Sequence, residues 1–235
     1  DLYILVDEAH RAGSSTYKKV LDYFNPNFLL GMTATPERND DNNIYELFDY
    51  NVAYEIRLQD ALEEDMLSPF QYVGVQDYEY NGEIIDEQTP LARLVSEDRV
   101  KYVLKQSDYY GHSGDKLYGL VFVSRTDEAE KIAELMTKEG HPAQALTGKD
   151  SQEERLTAIN KLKNGKLEYI VTVDIFNEGI DIPFINQIVM MRKTQSAIIF
   201  IQQLGRGLRK NPGKDYVVVI DFIGNYKNNY LIPVA

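Results

Sequence analysis

The stretch Leu117-Tyr-Gly-Leu-Val-Phe-Val-Ser-Arg-Thr-Asp-Glu-Ala-Glu-Lys-Ile-Ala-Glu-Leu-Met-Thr-Lys138 contains the pattern that decides the fold. It opens with a run of apolar residues, of the kind found in strands that are buried on both faces. From Asp127 onward the apolar residues recur every three or four positions, as they do on one face of a helix. We therefore predict a strand at Leu117–Val123 and an amphipathic helix at Asp127–Lys138.

Outward from this stretch, the same alternation of apolar runs and helical patterns continues in both directions. The further predicted strands are Leu2–Val6, Phe28–Met32, Ala143–Leu146, Tyr169–Val173, Gln187–Met191 and Tyr216–Phe222. The further predicted helices are Ser15–Tyr23, residues 97–109, Gln152–Leu162 and residues 195–208. Strands that alternate with helices predict an α/β fold built on parallel sheets. About 140 residues at the end suffice for one complete domain of this kind, whereas the first 58 supply only part of another.

Length and composition restrict the class of protein. The 235 residues allow one large domain or two small ones, and 43% apolar with 26% charged residues is typical of globular proteins. No apolar run approaches the roughly 18–20 residues of a membrane span, so we expect a soluble, cytoplasmic protein. The lack of cysteine excludes disulfides, thiolate zinc sites and cysteine nucleophiles. Because the chain starts within a predicted strand and without Met, we expect a fragment of a longer protein.

The net charge of −12 argues at first against a polyanionic partner, since Lys and Arg supply most of a protein's affinity for nucleic acid. The charge is unevenly distributed, however. Residues 36–98 contain 17 acidic and three basic residues, so this segment carries −14 and the other 172 residues carry +2. Among the latter, Ile182–Lys214 has six basic residues and no acidic one. The charge therefore does not exclude a nucleic acid that binds outside the acidic segment.

Two adjacent carboxylates follow the first predicted strand, in Asp7-Glu8-Ala9-His10. Ligands of open parallel sheets bind at the carboxyl ends of the strands. Asp7 is therefore placed to hold Mg²⁺, directly or through water, and Glu8 to orient and deprotonate an attacking water. Taken alone, an acidic loop without function explains the pair equally well.

The neighbouring motifs favour the functional interpretation of this pair. Thr33-Ala-Thr35 follows the next strand, so its hydroxyls are expected beside Asp7 and Glu8 at the same edge. Further along, Asn177-Glu-Gly-Ile-Asp-Ile-Pro183 combines a flexible glycine with a carboxylate that could bind a ribose. In Gln202-Gln-Leu-Gly-Arg-Gly-Leu-Arg209 two arginines stand three positions apart, so on a helix they share a face and could reach one polyphosphate.

These four motifs, in this order, resemble motifs II, III, V and VI of superfamily 2 helicases and translocases of the DEAH-box type, a group that includes the res subunit of type III restriction enzymes. Gly119-Leu-Val-Phe-Val-Ser-Arg-Thr126 resembles motif IV. Leu146-Thr-Gly148, followed by Glu154-Arg155, is similar to the segment between motifs IV and V. The resemblance covers nearly the whole chain apart from residues 40–95.

The resemblance implies two RecA-like lobes, with ATP and Mg²⁺ in the cleft between them and nucleic acid across their outer face. It implies a role for each matched residue. Asp7 would coordinate Mg²⁺ and Glu8 would be the catalytic base, while the coupling residues would be His10, Thr33 and Thr35. The residues implied at the nucleotide from the second lobe are Gly179, Asp181, Gln202, Arg206 and Arg209, with one or both arginines as arginine finger. Those implied at the nucleic-acid backbone are Ser124, Arg125, Thr147, Gly148 and Thr172.

The same resemblance divides the chain into three parts. Residues 1–58 correspond to the C-terminal part of the first lobe, residues 59–96 to an acidic inter-lobe connection, and residues 97–235 to the second lobe. The phosphate-binding loop Gly-x-x-x-x-Gly-Lys-Ser/Thr occurs nowhere in the chain. We therefore expect this loop upstream of residue 1, and expect the 235 residues alone to lack ATPase activity.

The prediction of the substrate depends on individual residues of these motifs. Thr33-Ala-Thr35 and Gln202 are more similar to DNA-acting branches, such as restriction motors and repair helicases, than to RNA helicases. The segment Val219–Tyr226 also resembles bacterial helicases that carry a nuclease-type domain in front. The alternatives are an RNA helicase and a non-catalytic module with a decayed motor. Tyr72, Tyr78 and Tyr80 are interpreted as packing residues of a small sheet rather than as base-stacking residues.

Overall fold

A computed structural model describes residues 1–9, 12–33, 44–78, 89–173, 182–192 and 207–223. The chain divides into two compact units, residues 1–57 and residues 58–235. Each unit contains its own parallel sheet. The fold class predicted from the sequence, α/β with parallel sheets, is confirmed.

The first unit is built on two short parallel strands, β1 (Tyr3–Val6) and β2 (Phe28–Gly31), which helix α1 (Ser15–Phe24) connects. Helix α1 ends where Asn25 adopts a left-handed conformation, and the Asn25 amide donates to the carbonyl of Leu21. A 3₁₀ turn follows at Ile44–Phe48. Its Ile44 packs with residues at and after the end of β1 in a small core.

The second unit contains a six-stranded, entirely parallel sheet with the strand order β3-β8-β7-β4-β6-β5. The strands are β3 (Phe70–Gln76), β4 (Gly119–Phe122), β5 (Ala143–Leu146), β6 (Tyr169–Thr172), β7 (Gln187–Met190) and β8 (Val217–Ile223). Strands β4, β6 and β7 are buried along their whole length, which explains why they read as unbroken apolar runs.

Helices cover both faces of this sheet. They are α2 (Leu58–Glu63), α3 (Leu91–Leu94), α4 (Glu97–Tyr110), α5 (Thr126–Lys138) and α6 (Gln152–Lys163). Helices α4 and α5 pack on one face and α6 on the other, which produces two apolar cores. Helix α4 begins at Ser96, whose side chain accepts from the amide of Arg99. Helix α6 begins with a capping box between Ser151 and Glu154.

The segment 59–96, predicted as an acidic inter-lobe connection, also supplies a strand of the second sheet. Strand β3 pairs in register with β8 from Phe70↔Val217 to Gln76↔Ile223. The side chains of β3 alternate between the two cores, with Tyr72 packed on one and Val75 on the other. Residues 70–76 therefore belong to the sheet of the second unit, since backbone pairing and side-chain burial both attach them to β8.

The other elements closely follow the sequence prediction. The predicted strand Ala143–Leu146 has the bounds of β5, and the predicted helix Asp127–Lys138 is α5 with one more residue at its start. The helix predicted near residues 195–208 falls mostly outside the described residues. In the part of the chain that the structure describes, no helix combines the length and the apolar character needed to cross a membrane.

Candidate functional site at the carboxyl edges of the two sheets

In the first unit, the residues after β1 and β2 lie side by side. Val6 is level with Gly31 in the parallel pair. The amide of Met32 donates to the carbonyl of Val6 at 2.9 Å, and the amide of Ala9 donates to the carbonyl of Met32 at 2.9 Å. These bonds hold the segment that contains Asp7 and Glu8 against the residue before Thr33. The structure thus brings Asp7, Glu8 and Thr33 to one edge, as their positions after neighbouring strands predict.

The backbone at this edge orients the first carboxylate. Glu8 has a φ of 48°, in the left-handed region that residues other than glycine seldom adopt. In this conformation its amide donates to Oδ1 of Asp7 at 2.9 Å, while both side chains are exposed. Strained backbone of this kind persists where the surrounding structure holds it, and it is common at functional sites.

An exposed carboxylate with one oxygen fixed by a backbone amide suits a magnesium ion that arrives with a nucleotide. Mg²⁺ is commonly bound through one or two carboxylates together with substrate phosphates and water. Within the described ranges, no group of three or more His, Asp or Glu residues is gathered as a metal site. The Asp7 carboxylate would fit this mode of binding, in which phosphate and water supply the remaining ligands.

In the second unit, five predicted nucleic-acid residues lie at the carboxyl edge of the six-stranded sheet. The strand ends Phe122, Leu146 and Thr172 are level with one another across β4, β5 and β6. The residues that follow on β4 and β5 are Ser124, Arg125, Thr147 and Gly148, so the parallel topology brings them to the same edge. The side chains of Thr147 and Thr172, however, are buried and do not face a ligand as predicted.

Thr147 uses its polar groups in a local turn. Its amide donates to Oδ2 of Asp150 at 2.5 Å, and its hydroxyl donates to the same oxygen at 3.0 Å. The Thr147 hydroxyl also accepts from the amide of Lys149 at 3.3 Å. The Thr147 side chain is buried, and its hydroxyl already makes hydrogen bonds within the turn. It therefore acts on a ligand by fixing the turn, in which the next residue, Gly148, is exposed.

Gly148 is the part of this turn that is open to a ligand. It is exposed, its φ is not positive, and a Cβ placed on it would meet no atom within 4 Å. The internal packing of the unit therefore gives no reason for a glycine here. A close approach by an external group, such as a phosphodiester, would give one.

Thr172 does not offer its side chain to a ligand, contrary to the prediction. It stands two positions after Ile170 on β6, so it points to the same face, which α6 covers, and it is fully buried. Its hydroxyl has no hydrogen-bond partner among the described residues. A contact between this hydroxyl and nucleic acid is therefore excluded in the arrangement seen here, because strand alternation directs it into the core.

Arg125 is exposed and forms an ion pair with Asp127, two residues further along in the first turn of α5. Its Nε donates to Oδ1 at 3.2 Å and its terminal nitrogen to Oδ2 at 3.0 Å. This pairing is the main reason that the pKa of Asp127 lies below its ordinary value. Exposed ion pairs are weak, so a phosphate can replace Asp127 as the partner of Arg125.

A buried ionic network beneath Ser124 was missed by the sequence prediction. The guanidinium of Arg99 is fully buried and binds both carboxylate oxygens of Asp77, at 3.0 and 2.7 Å. It also donates to Oε1 of Glu128 at 3.3 Å and to the carbonyls of Leu94 and Met191. The other oxygen of Glu128 accepts from the amide of Ser124 at 3.0 Å. The loop after β4 is thus anchored to Arg99 through Glu128.

Burial and ion pairing act in opposite directions on this network. Burial raises the pKa of Glu128 above its ordinary value, while the positive charge of Arg99 and the amide of Ser124 oppose that rise. A signal for the network was present in the sequence. Arg99 is four residues before Val103 and eight before Ser107, so a cation occupies a position on the buried face of α4.

Arg209 is exposed and stands at the end of its motif, where it forms an isolated bridge with Leu67. The remaining predicted site residues lie outside the described residues. These are His10, Thr35, Gly179, Asp181, Gln202 and Arg206. The roles predicted for them stay predictions.

Comparison with protein families gives two matches. Residues 99–211 match the model of the helicase conserved C-terminal domain. Residues 1–38 match the model of the type III restriction enzyme, res subunit. A relative from Saccharomyces cerevisiae, described as the ATP-dependent helicase IRC3, is 27% identical over 237 residues, which cover 94% of this chain and 34% of the relative.

Solved structures show the same fold. A fragment of an HsdR subunit of a type I restriction enzyme from Vibrio vulnificus YJ016 has a TM-score of 0.68 and 22% identity, over 97% of this chain and 44% of that one. The type ISP restriction-modification enzyme LlaBIII, bound to DNA, has a TM-score of 0.65 and 20% identity, over 94% and 18%. Saccharomyces cerevisiae Dbp5, bound to RNA, has a TM-score of 0.58 and 17% identity, over 99% and 56%. The chain spans about a third of IRC3 and less than half of the HsdR fragment.

Proposed function

Because this chain belongs to the superfamily 2 helicases and translocases, similar to the res subunit of type III restriction enzymes, we propose that the whole protein is an ATP-dependent DNA helicase or translocase. The observation that carries this proposal is the placement of Asp7, Glu8 and Thr33 at one carboxyl edge of parallel strands. ATP would be hydrolysed between two RecA-like lobes.

In this proposal the two carboxylates have different roles. Asp7, oriented by the Glu8 amide, holds Mg²⁺ through a free oxygen or through water. The ion would neutralise negative charge on the phosphates of ATP. Glu8 accepts a proton from the water that attacks the γ-phosphorus. Thr33, together with His10 and Thr35, passes the state of the nucleotide to the nucleic-acid site.

The second lobe completes the nucleotide site and binds the nucleic acid. Gly179 and Asp181 contact the ribose and phosphates, and Gln202 orients the γ-phosphate. Arg206 and Arg209 stabilise the charge that develops during phosphoryl transfer, an effect worth about 10³–10⁵ in rate for an arginine finger. Ser124, Arg125 and Gly148 bind the phosphodiester backbone at the carboxyl edge of the second sheet. We propose no direct contact for Thr147 or Thr172, since both side chains are buried.

We also propose that residues 1–57 are the C-terminal part of the first lobe. The large apolar side chains of β1 and β2 support this, since Tyr3 and Leu5 are each 62% exposed and Phe28 is 48% exposed. An isolated two-stranded sheet is marginal in water, and exposed apolar side chains in a row call for further elements to cover them. Those elements would include the phosphate-binding loop, so the 235 residues alone are expected not to hydrolyse ATP.

DNA is proposed as the substrate because the residues Thr33, Thr35 and Gln202 are more similar to the DNA-acting branches than to RNA helicases. The test is ATP hydrolysis by the full-length protein without nucleic acid and with duplex DNA, single-stranded DNA or RNA. We expect at least tenfold stimulation by one of the DNAs. Stimulation by RNA alone would establish the RNA helicase, and hydrolysis under none of these conditions the non-catalytic module.

Glu8→Gln in the full-length protein tests the catalytic assignment. This change keeps the shape of the side chain but removes the base, so we expect ATP binding to persist while turnover falls about 10²–10⁴-fold, the usual contribution of a general base. Glu130→Gln, at an exposed position of α5, is the matched control and should hydrolyse ATP normally. Normal turnover by Glu8→Gln would remove Glu8 from this role.

A further inference from the structure

Lys214 is a buried lysine whose ammonium group binds three backbone carbonyls. Lys214 as a whole is only 8% exposed to solvent. The Nζ atom donates to the carbonyls of Pro183 and Gly207, each at 2.6 Å, and of Arg209 at 2.7 Å. An ammonium group has three N–H donors. Three carbonyls from two parts of the chain thus converge on this one group.

A tight turn aims this lysine at its acceptors. The turn runs Asn211-Pro212-Gly213-Lys214, and the Lys214 amide donates to the Asn211 carbonyl at 3.2 Å. Gly213 has a φ of 88°, which only glycine adopts without strain. The turn reverses the chain after Arg209 and directs Lys214 back toward the segment it has just left.

Two of the three acceptors alone would describe an ordinary end cap. Basic side chains often bind the last carbonyls of a helix, and the carbonyls of Gly207 and Arg209 are near in sequence to Lys214. The third acceptor, Pro183, belongs to a different segment, which ends the motif Asn177–Pro183. Lys214 therefore joins two chain segments that no strand pairing connects directly in the described sheet.

Packing between the two segments supports the same conclusion independently. A Cβ on Gly207 would lie 3.0 Å from Cδ1 of Ile188 and 3.5 Å from Cγ2 of Ile185. The backbone at Gly207 thus closely approaches the residues that follow Pro183. On its other side, the carbonyl of Leu208 accepts from the amide of Ser68 at 2.6 Å. Each carbonyl from Gly207 to Arg209 consequently has a donor, so the end of this segment is fixed in place.

We propose that Lys214 is a positioning residue that holds Pro183, the last residue of the motif that contains Gly179 and Asp181, against Gly207 and Arg209, at the end of the motif that contains Gln202 and Arg206. The inference rests on the proposed function, in which both motifs contact one ATP molecule. Correct geometry at a phosphoryl group depends on positioning its contacts together. A cation that fixes the ends of both segments sets their separation, without itself touching the nucleotide.

The test is Lys214→Met in the full-length protein, which keeps an unbranched side chain of similar length and removes the three hydrogen bonds. We expect kcat for ATP hydrolysis to fall at least tenfold, while the Kd for ATP changes less than threefold. Ile132→Ala is the matched control, since Ile132 is buried in α5 and belongs to the apolar core on the other face of the sheet from Ile185, Ile188 and Leu208. At an equal or greater loss of Tm, it should keep kcat within twofold of the unmodified protein.

Hydrogen exchange provides a second measurement that does not depend on ATPase activity. Lys214→Met should accelerate amide exchange at both residues 182–192 and residues 207–213, and Ile132→Ala should not accelerate it in both segments. Faster exchange at residues 207–213 alone would mean a simple end cap and would overturn the proposal. A kcat within twofold of normal, or a kcat that follows Tm equally in both variants, would overturn it too. An inactive unmodified protein would refute the proposed function, and hydrogen exchange would still decide the role of Lys214.

If Lys214→Met fails to fold, Lys214→Arg takes its place. Arginine keeps the buried charge, but a planar guanidinium is poorly suited to three carbonyls that converge on one point. We expect this variant to fold with a kcat at least threefold below normal and an unchanged Kd for ATP. A normal kcat would contradict the proposed positioning role.

Discussion

Asp221 is a buried carboxylate on β8 whose ionisation opposes folding. It is level with Met190 on one side and Gly74 on the other, and it is 2% exposed. Burial raises the pKa of Asp221 to about 6, although the Tyr72 hydroxyl, which donates to its Oδ2 at 2.7 Å, limits the rise. A folded-state pKa above the ordinary 3.8 means that the folded protein binds a proton more tightly than the unfolded chain does.

The sign of the resulting pH dependence follows directly. Between about pH 4 and pH 6 the unfolded chain loses this proton and the folded protein keeps it, so the free energy of unfolding falls as the pH rises. The difference corresponds to about 3 kcal/mol above pH 7. Asp221→Asn, which can still accept from Tyr72, should remove this fall and raise the free energy of unfolding at pH 8 by up to about 3 kcal/mol.

Urea unfolding at pH 4 and pH 8 measures the effect of Asp221→Asn. At pH 4 the side chain is neutral in both proteins, so the difference should nearly vanish. Asp215→Asn, at an exposed position just before β8, is the control and should show no such pH dependence. Equal effects of Asp221→Asn at both pH values would show that packing, not ionisation, is responsible.

At the level of elements, Arg99 connects parts of the second unit that are distant in sequence. Its partners are Asp77 after β3, Leu94 at the end of α3, Glu128 in the first turn of α5 and Met191 after β7. Breaking such a buried pair leaves the carboxylates without compensation, at a cost of about 3–5 kcal/mol. The network therefore matters for the orientation of α4 and α5 on the sheet.

Arg99→Met tests the network. We expect the free energy of unfolding at pH 8 to fall by about 3–5 kcal/mol. The pKa of Glu128 is already raised by burial, and loss of Arg99 removes a group that holds it down. The deficit should therefore shrink as the pH is lowered, because Glu128 can then take up a proton. Lys131→Met, which breaks the exposed pair with Glu134, is the control and should leave stability unchanged. A deficit independent of pH would contradict the ionic explanation.

The elements that the sequence predicts well are those whose burial is uniform or strictly periodic. Strands β4 and β6 are buried on both faces and read as apolar runs, and α5 has a clear apolar face. The directions of side chains were predicted less well. Thr172 stands two positions after Ile170 on β6, and this spacing would have placed its side chain in the core. The engagement of Thr147 is a local turn, which its spacing of three residues from Asp150 also allows.

At the scale of the whole molecule, the sequence pattern did not reveal the pairing of strands that are distant in sequence. Strand β3 lies within an acidic segment, and it pairs with β8, which begins more than 140 residues later. Local charge suggested a solvated connection. Pairing in register, the Tyr72–Asp221 hydrogen bond and the Asp77–Arg99 ion pair all attach the segment to the second sheet.

The extent of the second folding unit can be tested by truncation. Residues 58–235 contain the whole six-stranded sheet and the apolar cores on both of its faces. We therefore expect this fragment to unfold in one cooperative transition. Residues 97–235, which start at the boundary predicted from the sequence, lack β3 and Asp77. In this shorter fragment β8 becomes an exposed edge and Arg99 loses its bidentate partner. It should therefore be less stable by at least about 3 kcal/mol, the lower range for breaking a buried ion pair.

Urea unfolding followed by circular dichroism, with residues 1–235 as the reference, measures both fragments. Asp77→Asn within residues 58–235 separates the ionic contribution from that of strand pairing, because it keeps β3 while removing the charge opposite Arg99. We expect this variant to lie between the two fragments in stability. Equal stability of residues 97–235 and residues 58–235 would mean that β3 is dispensable, and the segment before residue 97 would then be the connection that its charge suggests. A loss that Asp77→Asn reproduces in full would instead assign the cohesion of the unit to Arg99 rather than to the β3–β8 ladder.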